Sequence, residues 1–248
     1  HHSKSISHPK MTVEFTGNPG WYAVQALSAL QEPDNEDAIS WSASYYANKL
    51  ICYLAETNPE IAYRFNADTL GVRSSRALRQ LKELQDEEGA WSWYKGMKGS
   101  RYMTTQVMEL LARLQMLTGK PLEEAEAMKL YTNGMAYLAK EAEKEYDILK
   151  KLDKEGKKSL IPSEQVLHYL YICALNGTGK GDEAKVNRYF IDRLVKLENA
   201  GALTIYGKAC SAVILQLAGE ENKAKEVLQS LMEYSVYTDE MGRYFDTP

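Results

Sequence analysis

Two acidic clusters hold the side chains with the most evident chemical capacity in this sequence: Glu32-Pro33-Asp34-Asn35-Glu36-Asp37 and Asp86-Glu87-Glu88. Paired carboxylates could protonate a leaving group and activate water, as glycoside hydrolysis requires, or start a terpene-type cyclisation. Both clusters flank helical patterns, where acidic residues also cap and solvate. Asp34-Asn35, ahead of a helix at Ala38, reads as an N-cap with favourable charge at the positive end of the helix dipole.

Histidine chemistry is sparse. His1, His2 and His8 are terminal, which leaves His168 alone in the body of the chain. Within Gln165-Val166-Leu167-His168-Tyr169-Leu170 it reads as a packed or hydrogen-bonded helix residue. A zinc site on His168 and Cys173 would need further ligands at spacings the sequence does not offer. Any Ser-His-Asp or Cys-His arrangement would have to centre on His168. Cys52, Cys173 and Cys210 each sit in an apolar helical pattern, with no Cys-x-x-Cys pair, and read as small buried hydrophobes. Gly177-Thr178-Gly179-Lys180-Gly181 superficially suggests a phosphate loop, but Gly181 follows the lysine and helices flank both sides, so it reads as an interhelical turn. Asn176-Gly177-Thr178 is also a formal glycosylation sequon. No cofactor follows from any of these groups.

The bulk properties narrow the classes. The chain has 248 residues, 44% hydrophobic and 26% charged, as expected of a soluble globular protein. Lys+Arg 30 against Asp+Glu 34 gives a net charge of −4, without the basic field a nucleic-acid partner would demand. No apolar run approaches the roughly 20 residues needed to span a bilayer, so direct membrane insertion is not expected. His1-His2-Ser3 reads as the remnant of a purification tag, and residues 1–10 are set aside as tag and tail.

The elements that must position these groups are helices. Apolar spacing of three and four residues predicts helices at 20–30, 38–57, 73–86, 102–118, 122–154, 162–175, 182–199, 204–218 and 221–234. Short connections imply antiparallel hairpins. The fifth helix would extend about 50 Å. Its charge-rich part around Lys140-Glu141-Ala142-Glu143-Lys144-Glu145 is expected to be solvated and to bend or break before Gly156. Residues 58–72, with Asn66-Ala67-Asp68-Thr69-Leu70-Gly71, read as a weakly patterned loop.

One turn stands out between two helical stretches: Gln85-Asp86-Glu87-Glu88-Gly89-Ala90-Trp91-Ser92-Trp93. Gly89 suits a positive φ. Trp91 and Trp93 are expected to pack back onto the helix ends, each with an indole N–H that needs a partner. Such a clasp would fix one helical hairpin against the next.

The opening Thr16-Gly17-Asn18-Pro19-Gly20-Trp21-Tyr22-Ala23-Val24-Gln25-Ala26-Leu27, followed by Glu32-Pro33 and Tyr45-Tyr46-Ala47-Asn48-Lys49-Leu50, resembles the thioester-type helical domain of bacterial alpha-2-macroglobulins. The turn Leu81-x-x-Leu84-Gln85-x-x-x-Gly89-Ala90-Trp91-Ser92-Trp93-Tyr94, the helix start at Tyr102-Met103-Thr104-Thr105, and the tail Tyr237-Thr238-Asp239-Glu240-Met241-Gly242-Arg243-Tyr244-Phe245 agree in order and spacing. The tail looks like a second Gly-aromatic turn. The resemblance implies an all-α fold, an α/α toroid of roughly six antiparallel helical hairpins in two layers. It also implies a large multi-domain protein of the cell envelope, periplasmic or extracellular, that inhibits endopeptidases by entrapment. Residues 11–248 then read as a single toroid domain that lacks its last helix pair.

Many members of that family carry Pro-x-Gly-Cys-x-Glu-Gln, whose Cys and Gln form an internal thioester. Here an ungapped match from Pro33 places Glu36 at the Cys position and Ile39 at the Gln position. Neither side chain can form the bond, so the expected domain is thioester-less and non-catalytic. Its expected partners are other domains of its own polypeptide and, under the trapping reading, a target protease held non-covalently. The alternative is a toroid enzyme of terpene cyclase, prenyltransferase or sugar-active type with a carboxylate site near Asp34–Asp37. Cyclases need an Asp-x-Asp-Asp acid, which Asp34-Asn35-Glu36-Asp37 imitates only loosely.

Overall fold

The computed structural model describes Gly17 and residues 19–156, 161–177 and 184–245. The tag and tail at 1–10, Thr16 and Asn18 of the family-like opening, and Thr178–Gly181 of the glycine turn, with the last residue of the sequon, lie outside the described residues. Among the described residues the fold is mostly helical: α1 Pro19–Leu30, α2 Ala38–Thr57, α3 Pro59–Arg64, α4 Ala67–Leu84, α5 Arg101–Thr118, α6 Ala125–Lys154, α7 Glu164–Leu175, α8 Ala184–Val195, α9 Ile205–Leu217 and α10 Glu221–Met232. A two-stranded hairpin follows, with β1 Ser235–Thr238 antiparallel to β2 Gly242–Phe245 and Val236 opposite Tyr244.

Local chemistry sets most helix starts. Asn58, Asn66, Ser100, Ser163 and Thr204 each accept a backbone N–H of the first turn, satisfying one of the donors that a helix start leaves free. Residues 58–72 are therefore not a loop. Asn58 and Pro59 open the short α3, and Asn66 opens α4 six residues ahead of the expected start, with Gly71 carried inside the helix. Ile51, Ile61 and Leu70 form a small apolar cluster there, against which Trp21, Val24 and Leu27 of α1 pack.

The α6 helix also departs from expectation. It runs 30 residues without a break, and Leu138, Ala142 and Leu149 keep one face buried through its charge-rich half. Tyr146 adds an edge-to-face contact with Tyr189 of α8, at 4.8 Å between ring centroids. Some of its charges are engaged rather than solvated: Glu145 accepts from Ser163, and Asp153 pairs with Arg193 of α8. The α8 helix ends at Val195, and Asn199 then caps a separate 3-10 turn over Ala200–Ala202.

The helices pack in two series. In the first, α2, α5, α7 and α9 lie side by side in chain order. In the second, α4, α6 and α8 follow one another, with α4 on α2, α6 on α5 and α7, and α10 on α9. Trp41, Tyr45, Met103, Met108, Val166, Tyr169, Phe190 and Ile214 are among the buried residues of the continuous core between the series. Among the described residues no helix is long and apolar enough to cross a membrane.

Candidate functional site

The Gln85–Trp93 turn locks α4, α5 and α6 together. Gln85 ends α4 and forms an isolated antiparallel bridge with Trp91. Its side-chain amide donates to the carbonyls of Gly89 (3.1 Å) and Leu130 (2.9 Å), joining the turn to α6. Asp86 closes the loop by accepting the N–H groups of Glu88 and Ala90 through its carboxylate, so this acid stabilises backbone. Trp91 is fully buried; its indole N–H donates to Leu81 O at 2.9 Å, and its backbone N–H to Thr104 Oγ1 at 2.8 Å. Gly89 sits at φ +89°. Trp93 corrects the expectation of a paired clasp: it is 41% exposed and stacks on exposed Tyr102 at 6.0 Å between ring centroids. Residues two apart on extended backbone share a side, but the chain bends at Trp93 and turns at 95–96, so the second ring does not follow Trp91 into the core.

The tail also turns at a glycine between aromatic residues, but without a buried ring. It forms the β-hairpin, with Gly242 at φ +71° and Tyr237 and Phe245 left exposed.

The first acidic cluster is dispersed. Asp37, not Asp34 or Asn35, caps α2: its two carboxylate oxygens accept the Ser40 N–H at 2.8 Å and the Ser40 hydroxyl at 3.0 Å. Glu32 pairs with Arg73 (2.6 Å) and Arg76 (3.7 Å) of α4. Asp34 and Glu36 are exposed. Ile39 is half-buried against the main core, where an apolar side chain is favoured. None of the three cysteines is in a disulfide; Cys173 and Cys210 are buried, whereas Cys52 is only half-buried. Among the described residues no group of three or more His, Cys, Asp or Glu could hold a metal ion.

The structure instead assembles a constellation on one side of the first helix series. His168 of α7 is buried, and its Nε2 lies 2.5 Å from Glu109 Oε2 of α5. Arg113, one turn on from Glu109, donates its Nε to Glu109 Oε1 at 2.7 Å and lies 5.5 Å from the Tyr171 ring centroid. Tyr206 of α9 meets the His168 ring edge-on at 5.4 Å, and its hydroxyl hydrogen-bonds with the Cys210 thiol. Tyr46 of α2 lies within the field of Arg113.

The electrostatics follow from this packing. Burial pushes the Glu109 carboxyl pKa up, but the hydrogen bonds from His168 and Arg113 outweigh it and hold the pKa below its usual range. Glu109 is therefore an ionised acceptor near neutrality, and His168 Nε2 donates to it. Burial raises Tyr46, Tyr171 and Tyr206, against a lowering by Arg113 at the first two. Burial also pushes the Cys210 thiol up to about 11, with the Tyr206 hydrogen bond acting in the opposite direction. An activated nucleophilic cysteine needs a depressed pKa, and burial shifts Cys210 the opposite way. Sequence reading isolated His168 but missed Glu109 and Arg113. Their i,i+4 acid–base spacing within the apolar pattern of α5 was the available signal.

No family model matches the sequence. No curated protein matches it either. Among solved structures, the fold is similar to part of the E. coli alpha-2-macroglobulin in its native conformation, reconstructed by cryo-electron microscopy, with a TM-score of 0.52 and 11% identity. That likeness covers 84% of this chain and 12% of the macroglobulin chain.

Proposed function

We propose that this chain is a non-catalytic helical domain of a bacterial alpha-2-macroglobulin-like protease inhibitor, folded as an α/α toroid without a thioester. The observation that carries the reading is the likeness in fold to the E. coli macroglobulin over 84% of the chain. Two packing series, α2-α5-α7-α9 and α4-α6-α8, suit the two layers of such a toroid. Exposed Glu36 and half-buried Ile39 stand at the degenerate thioester position and offer neither a thiol nor a side-chain amide. Any capture of a protease is then non-covalent, or the domain serves as architecture for its neighbours in the parent polypeptide. A periplasmic or extracellular setting belongs to the same proposal. The runner-up enzyme reading gains nothing from the Asp34–Asp37 segment, where Asp37 is engaged as a helix cap.

The test uses the full-length parent polypeptide. It is digested with a panel of proteases while intact mass and size-exclusion volume are followed. A single early cut, then compaction and co-elution of a protease that SDS releases, is the expected result for trapping. Progressive cutting without retained protease sinks the trapping role.

A further inference from the structure

The α1 helix carries no charged residue and is apolar on two sides. Trp21, Val24 and Leu27 pack inward, onto the small Ile51–Ile61–Leu70 cluster. Tyr22, Ala23, Ala26, Ala29 and Leu30 recur at helical spacing as a second stripe that faces solvent, with Tyr22 60% and Leu30 44% exposed. A helix that is apolar all round belongs in an interior, yet among the described residues this second stripe is uncovered.

The α9–α10 pair, at the other end of the helix series, presents a matching shape. Ala209, Ala212, Val213, Gln216 and Leu217 run along α9 as one wall of a groove. Leu228 and Leu231 of α10 form the other wall, with buried Ala224 at its base. Leu217 and Leu228, on the rims, are 60% and 49% exposed. The charges agree as well. Lys225 is the one ionised residue lining the groove, and it pairs with no acid among the described residues. The chain leaving α1 carries Asp34 and Glu36, exposed and likewise unpaired among the described residues.

We infer that the α9–α10 groove of one copy of this chain takes the outer face of α1 from a second copy, with Lys225 beside the Asp34–Glu36 segment. Tyr22 and Leu30 fill the space left by the groove alanines, and Ala23, Ala26 and Ala29 leave room for Leu217 and Leu228. Within one copy the two faces lie apart: α1 sits on the small cluster, whereas α9 and α10 belong to the main core. The contact joins unlike surfaces, so copies associate head to tail. The inference stands on these two faces and does not depend on the macroglobulin reading.

The test is sedimentation velocity of the full chain over a range of micromolar concentrations. Wild type is expected to shift from monomer to larger species as concentration rises. Tyr22→Asp breaks the α1 face in the first turn, where an acid suits the helix dipole, and Leu228→Glu breaks the groove wall at an exposed position. Each is expected to weaken association about tenfold or more, and Lys225→Glu by a smaller factor. The decisive sample is an equimolar mixture of Tyr22→Asp and Leu228→Glu. The first keeps an intact groove and the second an intact α1 face, so the mixture is expected to form a one-to-one pair and grow no further. Wild type that stays monomeric overturns the inference, as does a mixture that stays monomeric. Wild-type association in either single variant overturns it as well; if only Leu228→Glu loses association, the groove has another occupant. Should a variant fail to fold, Leu30→Lys replaces Tyr22→Asp and Leu217→Lys replaces Leu228→Glu, both at exposed helix C-termini where a cation is favoured.

Discussion

Gly89 lies so close to α6 that a Cβ added to it would sit 2.4 Å from the carbonyl oxygen of Asn133. The obstacle is helix backbone, which cannot move aside as a flexible side chain would, and φ +89° disfavours any L side chain as well. Gly89→Ala is therefore expected to destabilise the domain by about 3 kcal/mol or more, read from the urea midpoint. Gly96 is the control: it also has positive φ, +84°, but nothing within 4 Å of the built Cβ, so Gly96→Ala carries only the conformational cost of about 1 kcal/mol. Equal losses at the two positions would mean that the turn does not press on α6.

Gln85 spans the same junction by hydrogen bonding. Gln85→Ala leaves the Gly89 and Leu130 carbonyls without its amide, and Asn133 Nδ2 without the 3.3 Å acceptor Oε1. A loss of about 1–3 kcal/mol is expected, with faster hydrogen exchange at the Trp91 amide as the turn loosens. Gln85→Glu is expected to be worse near neutral pH, because an ionised carboxylate faces two carbonyl oxygens and has no proton to give them.

The ease of reading these features from sequence depended on their range. Positions of α5, α7 and α9 followed from apolar spacing and caps such as Ser163 and Thr204, because those signals act within a turn or two. The α3–α4 segment resembles a loop in sequence because asparagine, here Asn58 and Asn66, caps helices by the same side-chain chemistry that favours turns. Gln85, Gly89 and Trp91 signalled a turn locally, but the reach of Gln85 to Leu130, 45 positions away, depends on how α6 lies across α4. Trp93 shares the motif yet stays outside the core, because the extended backbone that would keep it on the side of Trp91 gives way to a bend at residue 93, which the spacing alone does not reveal. Likewise the pairing of His168 with Glu109, 59 positions apart, required the α5–α7 contact itself.

Asp37 and Glu36 separate capping from any chemistry of their shared cluster. Asp37→Ala removes the acceptor for Ser40 N–H at the start of α2 and is expected to cost about 1 kcal/mol. Glu36→Ala, at an exposed position, is expected to leave the denaturation midpoint within error of wild type. Loss of a turnover assayed in the full-length parent, with the midpoint held in Glu36→Ala, would revive the enzyme reading that the trapping proposal displaces.

Glu109 should leave a signature in the pH dependence of stability. Its folded pKa is held below the unfolded carboxyl value because the hydrogen bonds from His168 and Arg113 exceed the penalty of burial. The unfolded state therefore binds more protons as the solution is acidified through that interval. The stabilisation from this group is fully present above the unfolded pKa of about 4.3 and is lost as pH falls through the lower folded value. Glu109→Gln keeps an acceptor for one partner but has no charge to titrate. Wild type should thus lose its advantage over Glu109→Gln on going from neutral pH into the acid range below the carboxyl pKa, with denaturant midpoints compared at each pH. Glu124, held low against burial by Lys49 and Tyr45, and Glu83, held low by Lys95, are common to both proteins and cancel in the difference. A gap between the two proteins that stays constant with pH would show that Glu109 is not the ionised centre of the His168–Arg113 chain.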